Sequence, residues 1–219
     1  MSSTPSTSFV LRALAGILIT FFLPHFGLIP IPFGYAVVVL LILWLLLKKD
    51  RQDFADLGFS RKRWELKAAW LGIVVAILLF AFLNYAFFPL LYKLTHLEKA
   101  NLKDFSSIRH SPANYVFILV MGWLVGGIYE EIVFHGYIFT RLERLIPGKY
   151  GLTLAFLATN LIFSLYHVQL GVSGMLNAFL AGSVYHGLML RHRRNMWYAV
   201  VCHGFFDTIG LTFLFLGYW

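Results

Sequence analysis

The sequence predicts an all-α fold, a polytopic membrane bundle of about seven transmembrane helices that forms one domain over residues 1–219. Two observations lead to this prediction, and a third limits its covalent chemistry. The chain is 59% hydrophobic and only 13% charged, with a mean hydropathy of +0.74, whereas a soluble domain of this size is far more polar. Its apolar runs are long and continuous rather than alternating, which favours helices over a β-barrel. The single cysteine, Cys202, excludes an internal disulfide and a cluster of cysteine metal ligands.

Each predicted helix corresponds to one apolar run. The first run contains Arg12, has no clear small-residue cleavage site and ends at Pro24. We therefore expect a retained membrane segment and not a removed signal peptide. The predicted helices cover residues 9–23, 32–47, 68–91, 114–142, 152–167, 174–190 and 196–216.

The net charge of +8 lies in the loops between the apolar runs. This distribution is typical of the positive-inside rule, and no nucleic-acid partner is expected. With seven helices, the basic loops 48–67, 141–149 and 191–194 lie on one side of the bundle, which should be cytoplasmic. We therefore expect a multi-pass protein of a cell membrane, of the bacterial inner-membrane kind, with a cytoplasmic N-terminus.

The loop at 92–113 does not follow this charge pattern. It lies on the opposite side of the predicted bundle, yet it carries four basic residues and only two acidic ones to offset them: Lys93, Lys99, Lys103 and Arg109 against Glu98 and Asp104.

The most informative residues are the polar ones inside the apolar runs. Glu130 and Glu131 are adjacent in the fourth predicted helix, and a carboxylate at membrane depth costs roughly 2.5–3.5 kcal/mol. His167 ends the fifth predicted helix. His203 and Asp207 lie in the last. Such residues predict one buried polar site within the bundle.

Helical spacing indicates which of these residues face the same way. Residues four apart share a helix face, and so do residues seven apart. The pairs with these spacings are Glu131 with His135, Phe163 with His167, Asn160 with His167, and His203 with Asp207. We expect each pair to point into the bundle.

This set of side chains suits hydrolysis of an amide. A carboxylate and an imidazole can deprotonate a water that lies between them, and a second imidazole can donate to the developing oxyanion. The alternative is metal-assisted hydrolysis, with Glu130, His167 and His203 as zinc ligands. These residues come from three helices, and no H-E-x-x-H pair pre-forms a zinc site.

The three motifs resemble those of the CPBP family of intramembrane proteases, which includes CAAX prenyl proteases and bacteriocin-processing (Abi) proteins. The family pattern is E-E-x-x-x-R, F-x-x-x-H and H-x-x-x-N or H-x-x-x-D on successive helices. Here these motifs read Glu130-Glu131-Ile-Val-Phe-His135, Phe163-Ser-Leu-Tyr-His167 and His203-Gly-Phe-Phe-Asp207. The resemblance covers a catalytic core at about 116–216.

The resemblance implies an intramembrane endopeptidase. Glu130 would be the catalytic carboxylate, His167 would help it to activate water, and His203 and Asp207 would complete the site by stabilising the oxyanion. Glu131, His135, Phe163 and Asn160 are the expected supporting residues. The family often carries a metalloprotease label, but a glutamate-dependent mechanism without metal fits these residues better, so no cofactor is expected and zinc stays an alternative.

One residue departs from the family pattern. His135 stands where the family usually has arginine. Because it follows Glu131 by four residues, it should take over the pairing with that carboxylate, although a histidine is charged only when protonated.

The expected partners are membrane lipid and a peptide or protein substrate, which could be lipid-modified or carry a leader or sorting signal. Two other functions stay open. A non-catalytic relative could act as an immunity factor or membrane scaffold, and buried Glu and His residues also form proton relays in transporters. No internal repeat supports the transporter.

Overall fold

The computed structural model describes residues 5–218 and is all-helical over that range. Trp219 and residues 1–4 lie outside the described residues. The predicted helical membrane bundle is therefore confirmed as the fold class. Its α-helices are α1 (Thr7–Phe22), α2 (Gly34–Lys49), α3 (Leu66–Phe82), α4 (Phe88–Thr95), α5 (Pro112–Met121), α6 (Phe139–Leu145), α7 (Gly151–Tyr166), α8 (Gly171–Arg191) and α9 (Trp197–Phe215).

Several of these helices continue into one another. A 3₁₀ turn, Leu23–Phe26, extends α1, and a π-helical segment, Leu83–Phe87, joins α3 to α4. A long π-helical segment, Gly122–Ile138, joins α5 to α6. With these joins, the α-helices of the described residues form seven helical segments.

The predicted number of seven membrane crossings is not confirmed. Within residues 5–218, four helices are long and apolar enough to cross a membrane: Thr7–Phe26, Leu66–Thr95, Pro112–Leu145 and Trp197–Phe215. A fifth crossing is possible if Gly151–Tyr166 and Val168–Arg191, which bend by 59° at their junction, count as one span. α2 has 16 residues and a length of about 24 Å, shorter than the roughly 30 Å of a bilayer core.

The three basic loops meet at one face, as the charge pattern predicts. Arg12 donates to Asp50 Oδ1 at 2.6 Å, and Arg141 Nη1 lies 3.4 Å from Asp50 Oδ2. Arg194 forms two hydrogen bonds with Glu143, at 2.8 and 2.7 Å, and these raise the pKa of its guanidinium. Arg63 donates to the Arg194 carbonyl at 2.8 Å. Charges from all three loops therefore lie together.

The core depends on small residues where helices approach closely. A Cβ atom added at Gly72 of α3 would lie 2.8 Å from the Val201 side chain of α9. One added at Gly204 of α9 would lie 2.6 Å from the Trp123 ring of the π-helical segment. Glycine at these contacts lets α9 pack closely on both neighbours, as small residues do in membrane bundles.

The π-helical segment carries Glu130 and Glu131 through the middle of the 34-residue helix Pro112–Leu145. The helix continues beyond the two glutamates to Leu145. π-Helical turns are rare and occur often at functional sites.

Candidate active site

Three helical segments bring the predicted motif residues together around one carboxylate oxygen. Glu130 Oε2 lies 3.9 Å from Nε2 of His167 and 3.9 Å from Nε2 of His203. Asp207 Oδ2 lies 3.6 Å from the same His203 nitrogen. Glu130 and His203 are only 8% and 6% exposed, so the cluster lies inside the protein.

His167 is oriented by its own helix end. It caps the C-terminus of α7, where the chain bends toward α8, and its Nδ1 is 2.8 Å from the Phe163 carbonyl. Because a carbonyl can only accept, Nδ1 carries a hydrogen and donates it. Nε2 is then the nitrogen that faces Glu130, and in neutral imidazole it is an acceptor.

Glu131 orients His203. The Nδ1–H of His203 donates to Glu131 Oε1 at 2.8 Å, so its Nε2 is directed toward Glu130 and Asp207. From the sequence, Asp207 is the expected neighbour of His203 one turn along the helix. At 3.6 Å, however, Asp207 makes no direct hydrogen bond to the ring, and Glu131 makes the orienting contact instead.

The pair of Glu131 and His135 is present in the structure. His135 Nδ1 donates to Glu131 Oε2 at 2.6 Å, and neither side chain is exposed. Glu131 therefore accepts from two imidazoles, one on each oxygen. Arg141 does not substitute for the family arginine, because its guanidinium binds Asp50 and Gln52 at the basic face.

Asn160 does not face the cluster around Glu130. Its side-chain amide donates to the Phe156 carbonyl at 2.8 Å and to Nδ1 of His186 at 3.1 Å. The His186 ring stacks on that of His135, with centroids 4.7 Å apart. Asn160 thus belongs to a layer behind His135 rather than to the surface that His167 faces.

Aromatic rings hold both histidines of the cluster. Phe163 contacts the His167 ring edge to face, with centroids 4.7 Å apart. Tyr185 stacks on His203 at 4.5 Å and is fully buried. Sequence reasoning missed Tyr185 because an aromatic residue in an apolar helix looks like ordinary core. The only sequence feature that could have indicated a role for Tyr185 at the site was its position directly before His186 in α8.

The cluster lies at the wall of a cavity of about 1310 Å³. Glu130, His167, His203 and Asp207 all line it, together with many aromatic side chains from α3, α4, α7 and α9. The volume exceeds the roughly 300–1,000 Å³ of pockets for drug-sized ligands. It is large enough for a segment of polypeptide to reach Glu130.

The donor set does not fit a zinc site as arranged. Two donors about 2.0–2.1 Å from one tetrahedral zinc lie about 3.4 Å apart, and the Glu130 oxygen is 3.9 Å from each histidine nitrogen. Within residues 5–218, no group of three or more His, Cys, Asp or Glu side chains is arranged to hold a metal ion.

A comparison with protein-family models gives a match over the region that contains the motifs. Residues 112–209 match the family model described as type II CAAX prenyl endopeptidase Rce1-like. No curated protein and no solved structure matches the chain. The matched residues overlap the predicted core at 116–216 and contain all three motifs that meet at the cavity. This match, which covers slightly less than half of the chain, supports the resemblance to the CAAX-protease family that the three motifs indicate.

Proposed function

We propose that this chain is an intramembrane endopeptidase that hydrolyses a peptide bond of a membrane-associated or secreted peptide or protein, with a water activated by Glu130. The observation that supports this most directly is the 3.9 Å separation of Glu130 Oε2 from Nε2 of both histidines. This distance is too long for a direct hydrogen bond and leaves room for a bridging water.

The geometry supports a division of labour among the three side chains. A water beside Glu130 donates one hydrogen to the carboxylate and the other to Nε2 of neutral His167. These two hydrogen bonds direct a lone pair of the water oxygen at the substrate carbonyl. As the oxygen attacks, Glu130 takes the proton. When the C–N bond breaks, the protonated Glu130 gives that proton to the leaving amine. Water is thus divided between the two products.

In this proposal His203 stabilises the oxyanion. With Nδ1–H donated to Glu131, the protonated ring carries a second hydrogen on Nε2, which faces the cavity. A donor held in place before the reaction stabilises the developing charge without reorganisation, and losing one such donor typically costs about 100-fold or more in rate.

The decisive variant is Glu130→Gln. Glutamine keeps the shape of the side chain but cannot take a proton, so we expect cleavage to be abolished while the protein still inserts and folds. The measurement is hydrolysis of fluorogenic peptides by pure protein in detergent or nanodiscs. Glu98→Gln, an exposed position outside the cavity, is the control. Full activity of Glu130→Gln would refute the glutamate mechanism. Absence of cleavage by the wild type would favour a scaffold, immunity or transport role.

We also propose that the reaction needs no metal. Chelators should then inhibit weakly, and elemental analysis of active protein should find far less than one zinc per chain. One zinc per chain, lost and restored together with activity, would instead assign it to Glu130, His167 and His203.

The placement of the chain in its membrane is likewise a proposal. The joined basic loops support a cytoplasmic location for that face and for the N-terminus, in a bacterial inner membrane. The substrate could be lipid-modified or carry a leader or sorting signal.

A further inference from the structure

The large cavity has basic side chains at a place that the proposed chemistry does not use. Lys99, Lys103 and Arg109 line it, and all three lie in the loop between α4 and α5. The two carboxylates of the cavity wall, Glu130 and Asp207, come from the helices instead. We call these three basic residues the cationic rim.

The acidic residues of the same loop do not neutralise the cationic rim. Glu98 and Asp104 are exposed and do not line the cavity. Within residues 5–218, no carboxylate lies within ion-pair distance of any of the three cations. Among the described residues, their charge is therefore not offset by an ion pair.

The loop is fastened to the turn that carries His167. The backbone N–H of Asn101 donates to the Leu170 carbonyl at 2.9 Å, and its side chain donates to the Gln169 carbonyl at 3.4 Å. The Ser173 hydroxyl donates to the Glu98 carbonyl. Lys99 lies between these two anchor points, and the N–H of Lys103 donates to Asn101 Oδ1 at 3.3 Å. The rim thus has a defined place relative to the candidate active site.

We propose that the cationic rim binds a carboxylate of the peptide substrate, either its C-terminus or an acidic side chain, while the scissile bond lies at Glu130. This inference rests on the proposed peptidase function. A cavity with apolar walls and one sign of charge focuses the field on an anionic ligand. Since the cations line the same cavity as Glu130, a peptide bound at Glu130 can also contact the rim.

The rim would set the selectivity of this chain rather than of its family. Lys99, Lys103 and Arg109 all precede residue 112, where the match to the Rce1-like family begins. The motif residues lie inside the matched segment. The rim also gives a reason for the basic residues on the face where the positive-inside rule does not expect them.

The test measures peptide binding separately from cleavage. Glu130→Gln protein in phosphatidylcholine nanodiscs is titrated with three dansylated hexapeptides of leucine and alanine. The first has a free C-terminal carboxylate and the second has a C-terminal amide. The third also has a C-terminal amide but contains one glutamate side chain. The titrations are repeated in a protein that also carries Lys99→Gln, Lys103→Gln and Arg109→Gln. Lys93→Gln is the control, because Lys93 belongs to the same basic group but does not line the cavity.

We expect at least one carboxylate peptide to bind about tenfold more tightly than the amide, the scale of a few partly exposed ion pairs. Salt should weaken this preference, the rim substitutions should remove it, and Lys93→Gln should keep it. The better carboxylate peptide identifies the group that is recognised. Unchanged thermal unfolding of the rim variant shows that it is folded.

Equal binding of all three peptides, or a preference that survives the rim substitutions, would overturn the proposal. A parallel preparation uses nanodiscs of mixed phosphatidylcholine and phosphatidylglycerol. Rim-dependent enrichment of phosphatidylglycerol there, without any preference among the peptides, would also overturn the proposal and would make a lipid phosphate the ligand. Cleavage of the same peptides by the wild type is measured in parallel. If it cleaves acid and amide alike, the peptidase function stands and the rim proposal fails. If it cleaves neither, the binding preference still decides whether the rim recognises a carboxylate.

Discussion

At the scale of single residues, two adjacent glutamates have different surroundings. Glu130 faces the cavity and has no direct hydrogen-bond partner among the described side chains, which suits a group that must handle a proton. Glu131 is fully buried, and each of its oxygens accepts from an imidazole. A buried carboxylate with two donors is a structural anchor, and here it also sets the orientation of His203.

The partner of this anchor can be tested at His135. His135→Leu removes one of the two donors and leaves a buried carboxylate oxygen unpaired, so we expect a loss of about 3 kcal/mol or more in stability. His135→Arg keeps a donor and restores the usual family residue. We expect it to stay folded and active, although the guanidinium must fit beside the rings of Phe163 and His186. Thermal unfolding and cleavage rates of both variants provide the comparison. Wild-type behaviour of the leucine variant would mean that the pair is not structural.

At the scale of secondary-structure elements, the π-helical segment Gly122–Ile138 and α9 form the site by close approach. Asp207 reaches over Gly126, where an added Cβ would lie 2.5 Å from its Oδ2 and 3.5 Å from His203 Nε2. The site therefore needs a residue without a side chain on the facing helix. The relevant property of Gly126 is its size, because its backbone is helical.

Gly126→Ala tests this close approach. The methyl group would force Asp207 to move and would disturb His203, so we expect cleavage to fall by about tenfold or more, since overpacking of this kind costs about 1–3 kcal/mol. Gly187→Ala is the control, because an added Cβ there meets nothing within 4 Å in α8. That variant should keep full activity. Equal activity of the two variants would show that Asp207 has room to shift without consequence.

At the scale of the whole molecule, ion pairs at the basic face connect distant parts of the chain. Asp50, at the end of α2, binds Arg12 of α1 and Arg141 of α6. The Arg141 side chain is only 2% exposed and also receives support from Gln52. These contacts tie the N-terminal helices to the segment that carries Glu130.

Asp50→Asn should therefore destabilise the protein more than a surface change of the same kind. It leaves the buried Arg141 without a countercharge, and we expect a loss of about 2–4 kcal/mol. Asp53→Asn is the matched control, because its pair with Lys48 is long, at 3.8 Å, and half exposed on both sides. That variant should change stability by about 0.5 kcal/mol or less. The measurement is thermal unfolding in detergent, and equal losses would argue against a structural role for the Asp50 network.

The sequence alone was enough to predict the helical membrane bundle, the meeting of the three basic loops and the pairing of Glu131 with His135. These follow from composition, from the charge of loops and from spacing within one helix, which are local properties. It also predicted that Glu130, His167, His203 and Asp207 lie near one another. Their catalytic roles stay predictions.

Only the tertiary structure decided which side chain meets which across helices. Glu131 rather than Asp207 orients His203, because α9 packs against the π-helical segment at a register that depends on Gly126 and Gly204. Asn160 contacts His186 of α8 and does not line the cavity. The cationic rim depends on loop anchors to Leu170 and Ser173. Such contacts join residues far apart in the chain, and no periodicity encodes them.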